Sequence, residues 1–297
     1  MTKKVSFLII NYNTKDLLEK CLNGLKGIYP NMEVIVVDNS SGDGSADMVR
    51  GNFDWVTLLS SPNNGLAYAS NIALEKATGD YLLYLGTDAF PTPQAISRLV
   101  EYMDQNRLVG IITPKLVLRD GTADLHAHRG FPTPWASITY LTKLNKLFSR
   151  SKIFNRYYMG YQDMSIPHEI DLCIAHFMLV RREVFEKIGR WDERYFLYGE
   201  DVDFCYRTKQ AGFKIIYHSN IEVLHYKGAT VGIRRETKDI SKASPETQKK
   251  ARDESTKAMR LFYETHYEGK YPKPLTWVVL FGIDVLAWMR KMGLLLS

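Results

Sequence analysis

Val5-Ser6-Phe7-Leu8-Ile9-Ile10-Asn11-Tyr12-Asn13 and Glu33-Val34-Ile35-Val36-Val37-Asp38-Asn39-Ser40 share one design: a short run, β-branched and apolar at nearly every position, that stops on polar residues. A strand with one wet face alternates apolar and polar side chains, whereas a continuous apolar run belongs to a strand buried on both faces, as in a parallel sheet. Between the two runs the sequence reads as a helix. Thr14 is placed to cap it, Asp16 suits its positive first turn, and Leu17, Leu18, Cys21 and Leu25 form one apolar stripe that Gly24 or Gly27 can end. Strand, helix and strand make one βαβ unit.

Working outward, the alternation continues. Val56–Leu59 reads as a strand, Ser61-Pro62-Asn63-Asn64-Gly65 as a turn, and the next residues as a helix to about Ala77. Tyr81–Leu85, a helix from Pro93 to Met103 and Val109–Thr113 complete a doubly wound α/β half with a mostly parallel central sheet. From Lys115 to Pro167 the rhythm is lost, and Pro132, Pro134, aromatic residues and a basic patch over Lys143–Lys152 describe an irregular or helical insertion. Regularity returns at Ile170–Val180, followed by a helix near Arg182, a second from Glu200 to Ala211 stopped by Gly212, and a strand at Lys214–His218.

The Lys-rich stretch Arg234–Glu254 reads as an exposed loop leading to a helix that carries Met259, Phe262, Tyr263 and His266 at helical spacing. Beyond Pro272 and Pro274, an apolar tail with Trp277, Leu280, Phe281, Val285 and Trp288 is interrupted by Asp284, Arg290 and Lys291, short of the roughly 20 residues that span a bilayer. Three readings fit it: a helix lying on a membrane surface, a homodimer contact, or docking on its own domain.

With 297 residues, 45% of them hydrophobic and 24% charged, the chain can bury one large core or two modest ones, which excludes disorder as the default. A net charge of +6 favours anionic partners, but the basic residues are dispersed without a recognition motif, so nucleic acid is not expected among them. Cys21, Cys173 and Cys205 have neither disulfide-framework nor zinc spacing, which fits a reducing cytosol. The run Val5–Ile10 is too short for a signal-peptide core. The expected location is cytoplasmic, peripheral on the inner face of the membrane if the tail meets lipid.

Open parallel sheets bind ligands beyond the carboxyl ends of their strands. The polar residues found there are Asn11-Tyr12-Asn13, Asp38-Asn39-Ser40 and Gly86-Thr87-Asp88-Ala89, converging on one crevice. Neither G-x-G-x-x-G nor a P-loop is present, which excludes a dinucleotide dehydrogenase and a P-loop ATPase. Asn11, Tyr12 and Asn13 offer amides and an aromatic face to a nucleotide, with Thr87 across the crevice. Asp38 and Asn39 can bond a base or ribose edge, although Asp-Asn-Ser is also a good turn. Asn64-Gly65 permits a close backbone approach ahead of a helix whose first amides suit phosphate, and simple turn punctuation fits it too. Glu200 and Asp201 follow the aromatic run Tyr195–Tyr198 and open a helix, where a carboxylate can be positioned and partly desolvated; a solvated helix start also fits. Lys227, Arg234 and Arg235 follow His225 in a Gly-containing segment that reads as a flap over a diphosphate or as an ordinary basic loop.

The ordered series Ile9–Asn13, Val36-Val37-Asp38-Asn39-Ser40-Ser41-x-Asp43-Gly44-Ser45, Asn63-Asn64-Gly65-Leu66-Ala67 with Asn71, Met178–Phe185, Gly189–Phe196, Tyr198–Cys205 and Leu224–Gly228 resembles family 2 glycosyltransferases of the GT-A fold, and within them the rhamnosyltransferase-like branch. The resemblance runs from residue 4 to 235. It implies a catalytic domain over 1–232, with a nucleotide-binding half at 1–115 and an acceptor half at 168–232, and a basic loop with amphipathic helices over 233–297. It implies that Asp38 meets the nucleobase, Asp201 is the general base with Glu200 in support, and Trp191, Asp192 and Glu193 meet the acceptor. Asp88 would end the Asp-x-Asp motif that holds Mg²⁺ or Mn²⁺, with His225 as a further ligand, yet Gly86-Thr87-Asp88 keeps one carboxylate. The implied reaction is inverting transfer of a sugar, L-rhamnose from dTDP-rhamnose first among candidates, from a nucleoside diphosphate donor to a glycan or lipid-linked glycan. The family's processive Gln-x-x-Arg-Trp motif is missing, so addition of one or a few residues is expected. The alternative is a non-catalytic protein of the same fold that binds nucleotide sugar or carbohydrate.

Overall fold

The structure, a computed structural model, describes residues 2–228 and 243–292. The continuous apolar runs form β1 (Val5–Asn11) and β2 (Met32–Asp38), paired in parallel with Asn11 opposite Asp38, so both strands end on the same edge. Alternate residues feed two cores. Val5, Phe7, Ile9, Val34 and Val36 pack with Leu18, Cys21, Leu22 and Leu25 of helix α1 (Lys15–Leu25), whereas Leu8, Ile35 and Val37 meet Ala67, Ala69 and Ala73 of α3 (Leu66–Lys76) on the opposite face. Each buried Val, Leu, Ile or Phe contributes about 1.5–3 kcal/mol relative to exposure, so the two layers hold the sheet on both sides.

Strands β3 (Val56–Ser60), β4 (Tyr81–Leu85), β5 (Ala89–Phe90), β6 (Val109–Val117), β7 (His168–Ile170), β8 (Phe177–Arg181) and β9 (Lys214–His225) complete a nine-stranded sheet in the order β3-β2-β1-β4-β8-β6-β9-β5, with β7 paired to β9. The parallel half on the β1 side matches the expectation. The other half is mixed: β8 runs antiparallel to both β4 and β6. Pairing with β6 and β5 extends β9 to 12 residues, well beyond the expected end at His218.

Other boundaries also move. Helix α2 (Ser45–Asn52), not expected from the sequence, is started by Gly44 in a left-handed turn, φ 80°. Thr14 makes no cap to α1. Its hydroxyl donates to Asn11 Oδ1 (2.7 Å), and the first α1 amide, Lys15 N–H, donates instead to Asp43 (2.8 Å). Helix α4 (Pro93–Gln105) covers one face of the sheet, and the insertion holds two short helices, α5 (Pro134–Leu141) and α6 (Leu144–Leu147).

Helix α7 (Arg182–Ile188) leads to α8 (Glu200–Gln210), which begins after two consecutive left-handed residues, Tyr198 and Gly199 (φ 67° and 84°). Helix α9 (Pro245–His266) starts at the Ser244 cap, nine residues or more ahead of the expected loop's end at Glu254. It braces α8: Phe262 and Tyr263 join Tyr195 and Tyr206 in an aromatic cluster, and His266 Nε2 lies 2.7 Å from Asp203 Oδ1. Helix α10 (Lys273–Lys291) packs on α9 through Val279, Leu280 and an Arg260–Asp284 ion pair, leaving Trp277, Val278, Phe281 and Trp288 exposed. Among the described residues no helix is long and apolar enough to cross a membrane.

Candidate active site

The carboxyl ends of β1 and β2 build one polar lattice. Asn11, fully buried, donates to Asp38 Oδ1 and to Ser41 Oγ (both 3.0 Å), and Asp38 Oδ2 accepts from the Ser41 amide (3.0 Å). Thr14 links this lattice to β4 through Thr87, hydroxyl to hydroxyl at 3.1 Å. Asn13 turns the chain in the left-handed region (φ 53°) and accepts from the Gly42 amide, while Tyr12 stays half-buried and Asn39 bonds Asn63 (3.2 Å). The turn reading and the binding reading of Asp38-Asn39-Ser40 are therefore one geometry: the carboxylate that ties the turn is the one at the strand edge.

Asn64 is exposed, and Gly65 has φ 109°. A Cβ there would lie 2.6 Å from the Phe196 carbonyl oxygen, and the Leu66 amide donates to that same oxygen (2.7 Å). The close approach that requires glycine is thus made to the loop ahead of α8, and one of the first α3 amides is occupied by it.

Asp88 is fully buried and neither carboxylate oxygen has a hydrogen-bond partner. β5 sets Ala89 opposite His225, and the His225 Nε2 lies 3.7 Å from Asp88 Oδ1. A third group, not expected from the sequence, completes the cluster: His176, immediately before β8, with Nε2 at 3.9 Å from the same oxygen. One ligand atom from each of Asp88, His176 and His225 lies within 4.8 Å of the others.

The protonation of the cluster suits cation binding. His225 Nδ1 stands 3.1 Å from Asp124 Oδ2. Burial alone would raise the Asp124 carboxyl, but the His225 bond and the paired Lys227 ammonium hold it well below the usual carboxylate range. Asp124 is then a pure acceptor, Nδ1 carries the proton, and the unpartnered Nε2 presents its lone pair towards Asp88. Burial likewise holds His176 below the ordinary histidine range, which keeps its ring neutral. Two imidazole nitrogens and a carboxylate converge here, Asp88 and His225 with buried unpartnered atoms and His176 half-buried at the opening, and this donor set fits a divalent cation. Lys227, expected on a flap, is fastened to Asp124; Arg234 and Arg235 lie outside the described residues, as does the domain boundary expected at 232.

Glu200 and Asp201 open α8, one buried and the other nearly so. Burial raises both carboxyls. Glu200 is pushed up to about 8, with the charge of Asp201 adding to the effect, and the rise at Asp201 is opposed by Arg129, 3.7 Å away. The charges of Asp88 and Asp201 both act on His176, so the cation cluster and the carboxylate pair are within electrostatic reach of one another.

A raised carboxyl has a stability signature. Glu200 favours its neutral form in the fold, so its contribution is complete below about pH 4 and is lost as pH climbs towards 8. Glu200→Gln is therefore expected to raise the melting temperature at pH 8 to 9, by an amount on the order of 1–3 kcal/mol, with the gain shrinking to nothing near pH 4. A gain independent of pH would show that Glu200 titrates normally.

The acceptor expectations fare unevenly. Trp191, expected on the acceptor side, is a core side chain, stacked on Phe204 at 4.4 Å between centroids and 3% exposed. Asp192 is paired with Arg194, and Glu193 accepts from Asn71 (2.7 Å). Asn71 also bonds the Trp191 backbone at both ends, which ties the 190–196 loop to α3.

A mixed sheet with a parallel nucleotide-type half, a carboxylate-histidine cluster at the carboxyl edge and an antiparallel strand feeding it define a GT-A architecture. Solved structures of that shape include GalNAc-T7 with UDP, GalNAc and Mn²⁺ (TM-score 0.59, 16% identity, covering 88% of this chain and 48% of that one). Mannosyltransferase PcManGT from Pyrobaculum calidifontis in complex with GDP-Man and Mn²⁺ is a second (TM-score 0.55, 17% identity, 98% and 88%). The chain spans about half of the GalNAc-T7 chain. Residues 6–189 match the profile of Glycosyl transferase family 2, more than half of the sequence, and the chain belongs to that family.

Among its relatives, rhamnosyltransferase WbbL of Escherichia coli K12 is 25% identical over 238 residues, 75% of this chain and 83% of that protein. The N-acetylglucosaminyl-diphospho-decaprenol L-rhamnosyltransferase of Mycobacterium tuberculosis H37Rv is 26% identical over 294 residues, 94% and 90%.

Proposed function

We propose that the chain is an inverting, non-processive glycosyltransferase that moves a sugar, L-rhamnose from dTDP-rhamnose first among candidates, onto a glycan or lipid-linked glycan. One observation carries the reading: ligand atoms of Asp88, His176 and His225 converge within 4.8 Å at the carboxyl edge of a nucleotide-type sheet, those of Asp88 and His225 buried without a partner. Two rhamnosyltransferase relatives support the choice of sugar.

Asp38, Asn11 and Thr87 receive the nucleoside, with Tyr12, Asn13 and Asn39 along the rim and the Asn64-Gly65 turn beside it. Asp88, His176 and His225 would hold a divalent cation, Mg²⁺ or Mn²⁺, which would supply charge neutralisation for the leaving diphosphate. Asp201 takes the proton of the acceptor hydroxyl as its oxygen attacks the anomeric carbon, and a single displacement inverts that carbon. Burial raises the basicity of Asp201, and the Arg129 guanidinium beside it favours the ionised form. Asp192 and Glu193 stand at the acceptor side.

A melting panel of nucleoside diphosphates and nucleotide sugars, with and without Mn²⁺, tests the reading, because a ligand of the native state stabilises it by mass action, about 2.7 kcal/mol at a hundredfold excess over Kd. A dTDP-sugar is expected to give the largest shift and to be consumed when acceptor is added. Binding without transfer or donor hydrolysis favours the non-catalytic alternative.

The exposed Trp277, Val278, Phe281 and Trp288 on α10, with Lys273, Arg290 and Lys291 at its ends, fit a peripheral seat on an anionic membrane surface at the cytoplasmic face. Trp277→Ser with Phe281→Ser is expected to weaken co-sedimentation with anionic vesicles by at least about tenfold. Unchanged vesicle binding, with a dimer that falls apart in the double variant, would assign the face to a second copy instead.

A further inference from the structure

We propose that His176 stands in for the carboxylate missing at position 86, and that this exchange makes the centre select Mn²⁺ and its first-row neighbours over Mg²⁺. The inference rests on the cation-assisted reading above and specifies which ion the site takes.

The exchange is visible as a competition for space. The first carboxylate of an Asp-x-Asp motif ending at Asp88 would stand at residue 86, where this chain has Gly86. A Cβ at Gly86 would lie 2.8 Å from Asp88 Oδ1 and 2.9 Å from the His176 ring. The Gly86 backbone is ordinary in φ, so the glycine is required by crowding and not by conformation. The Gly86 amide also donates to the His176 carbonyl (2.9 Å), which locks the two positions together. A side chain at 86 could be housed only if the His176 imidazole or the Asp88 carboxylate moved from its present place, and this chain has the imidazole.

The donor set changes accordingly. Oxygen ligands suit Mg²⁺, a hard ion that dehydrates reluctantly, whereas imidazole favours first-row transition ions, whose affinities rise along the series from Mn²⁺. With His225 and His176 both presenting nitrogen and Asp88 alone presenting oxygen, the protein contributes two nitrogen donors and one carboxylate. His225 is oriented by Asp124, and His176 by its place between Gly86 and His225, whose ring centroid is 5.0 Å away.

The test is calorimetric titration of the full chain with MnCl₂ and with MgCl₂, each without nucleotide, in wild type, His176→Ala, His176→Asp and the pair Gly86→Asp with His176→Ala. Wild type is expected to favour Mn²⁺ over Mg²⁺. His176→Ala should lose about 10–100-fold in Mn²⁺ affinity, at least the scale seen when ligand support is removed, with a smaller loss for Mg²⁺. His176→Asp and the double variant, which return a carboxylate to the centre, should lower the Mn²⁺/Mg²⁺ ratio by about tenfold or more. Apo melting temperatures establish that each variant is folded, and His176→Asp carries the test if the alanine variant is not. A wild type that binds neither ion, or a ratio unmoved by His176→Asp, overturns the proposal. Because the titrations contain no sugar donor, those outcomes are separate from failure of the transferase reading, which would appear as Mn²⁺ binding with no nucleoside diphosphate bound.

Discussion

Asp201→Asn is expected to lower transfer by about 10²–10⁴-fold while leaving the fold and nucleotide affinity intact, the range by which a positioned general base accelerates a proton transfer. Asn keeps the volume at the start of α8 and can still accept from the Val202 amide, as Asp201 does at 2.8 Å. It cannot take a proton from an acceptor hydroxyl. The wild-type pH profile should carry the same signature: burial raises Asp201, so activity should fall as pH drops through a value above the ordinary carboxylate range near 4, and the acid limb should be lost in the variant. Because Glu200 and Asp201 interact, the limb reports the pair. Near wild-type turnover in Asp201→Asn would remove the base assignment.

The second large effect is expected at Asp88. Asp88→Asn should abolish the Mn²⁺-dependent rise in melting temperature and lower transfer by about 10²–10³-fold, the scale of losing one fixed electrostatic contact at a developing charge. The apo protein should move in the opposite direction. A fully buried carboxylate with two unpartnered oxygens destabilises the fold, so neutralising it should stabilise the apo state by about 1–3 kcal/mol. A variant that loses both activity and apo stability would make Asp88 a structural residue instead. Gain of stability with loss of function is the behaviour of a site held ready for a ligand.

Much of this architecture could be read from local pattern. β1, β2 and β4 are apolar on both faces, so their existence and burial follow from composition alone, and the two cores found on either side of them follow from the alternation of residues along each strand. The crevice was legible for the same reason: Asn11 and Asp38 each end a strand, Asp88 follows β4 by three residues, and parallel strands bring their ends to one edge. Asp201 and His225 were singled out by an ordered series of motifs. Short elements set by neighbours, such as α2 and β5, were not legible, nor was the extension of β9, which depends on what pairs with it.

The cation cluster marks the limit most clearly. In a sheet whose strands are all parallel, the ligand edge lies at the residues that follow each strand. β8 is antiparallel to β4, with Phe177 opposite Leu85, so its beginning, not its end, reaches that edge, and His176 enters the site from the residue before the strand. Asp124 was hidden similarly, because β6 runs on to Val117 and the turn after it returns to His225.

Gly86-Thr87-Asp88 therefore read as a motif with a carboxylate missing, and only the fold revealed an imidazole in the space that carboxylate would need. By itself the sequence determined the strands, their burial and the residues at their polar ends, since these depend on near neighbours in the chain. Strand direction and the meeting of residues 88, 124, 176 and 225 were decided by tertiary structure, because they depend on pairings that local periodicity does not encode.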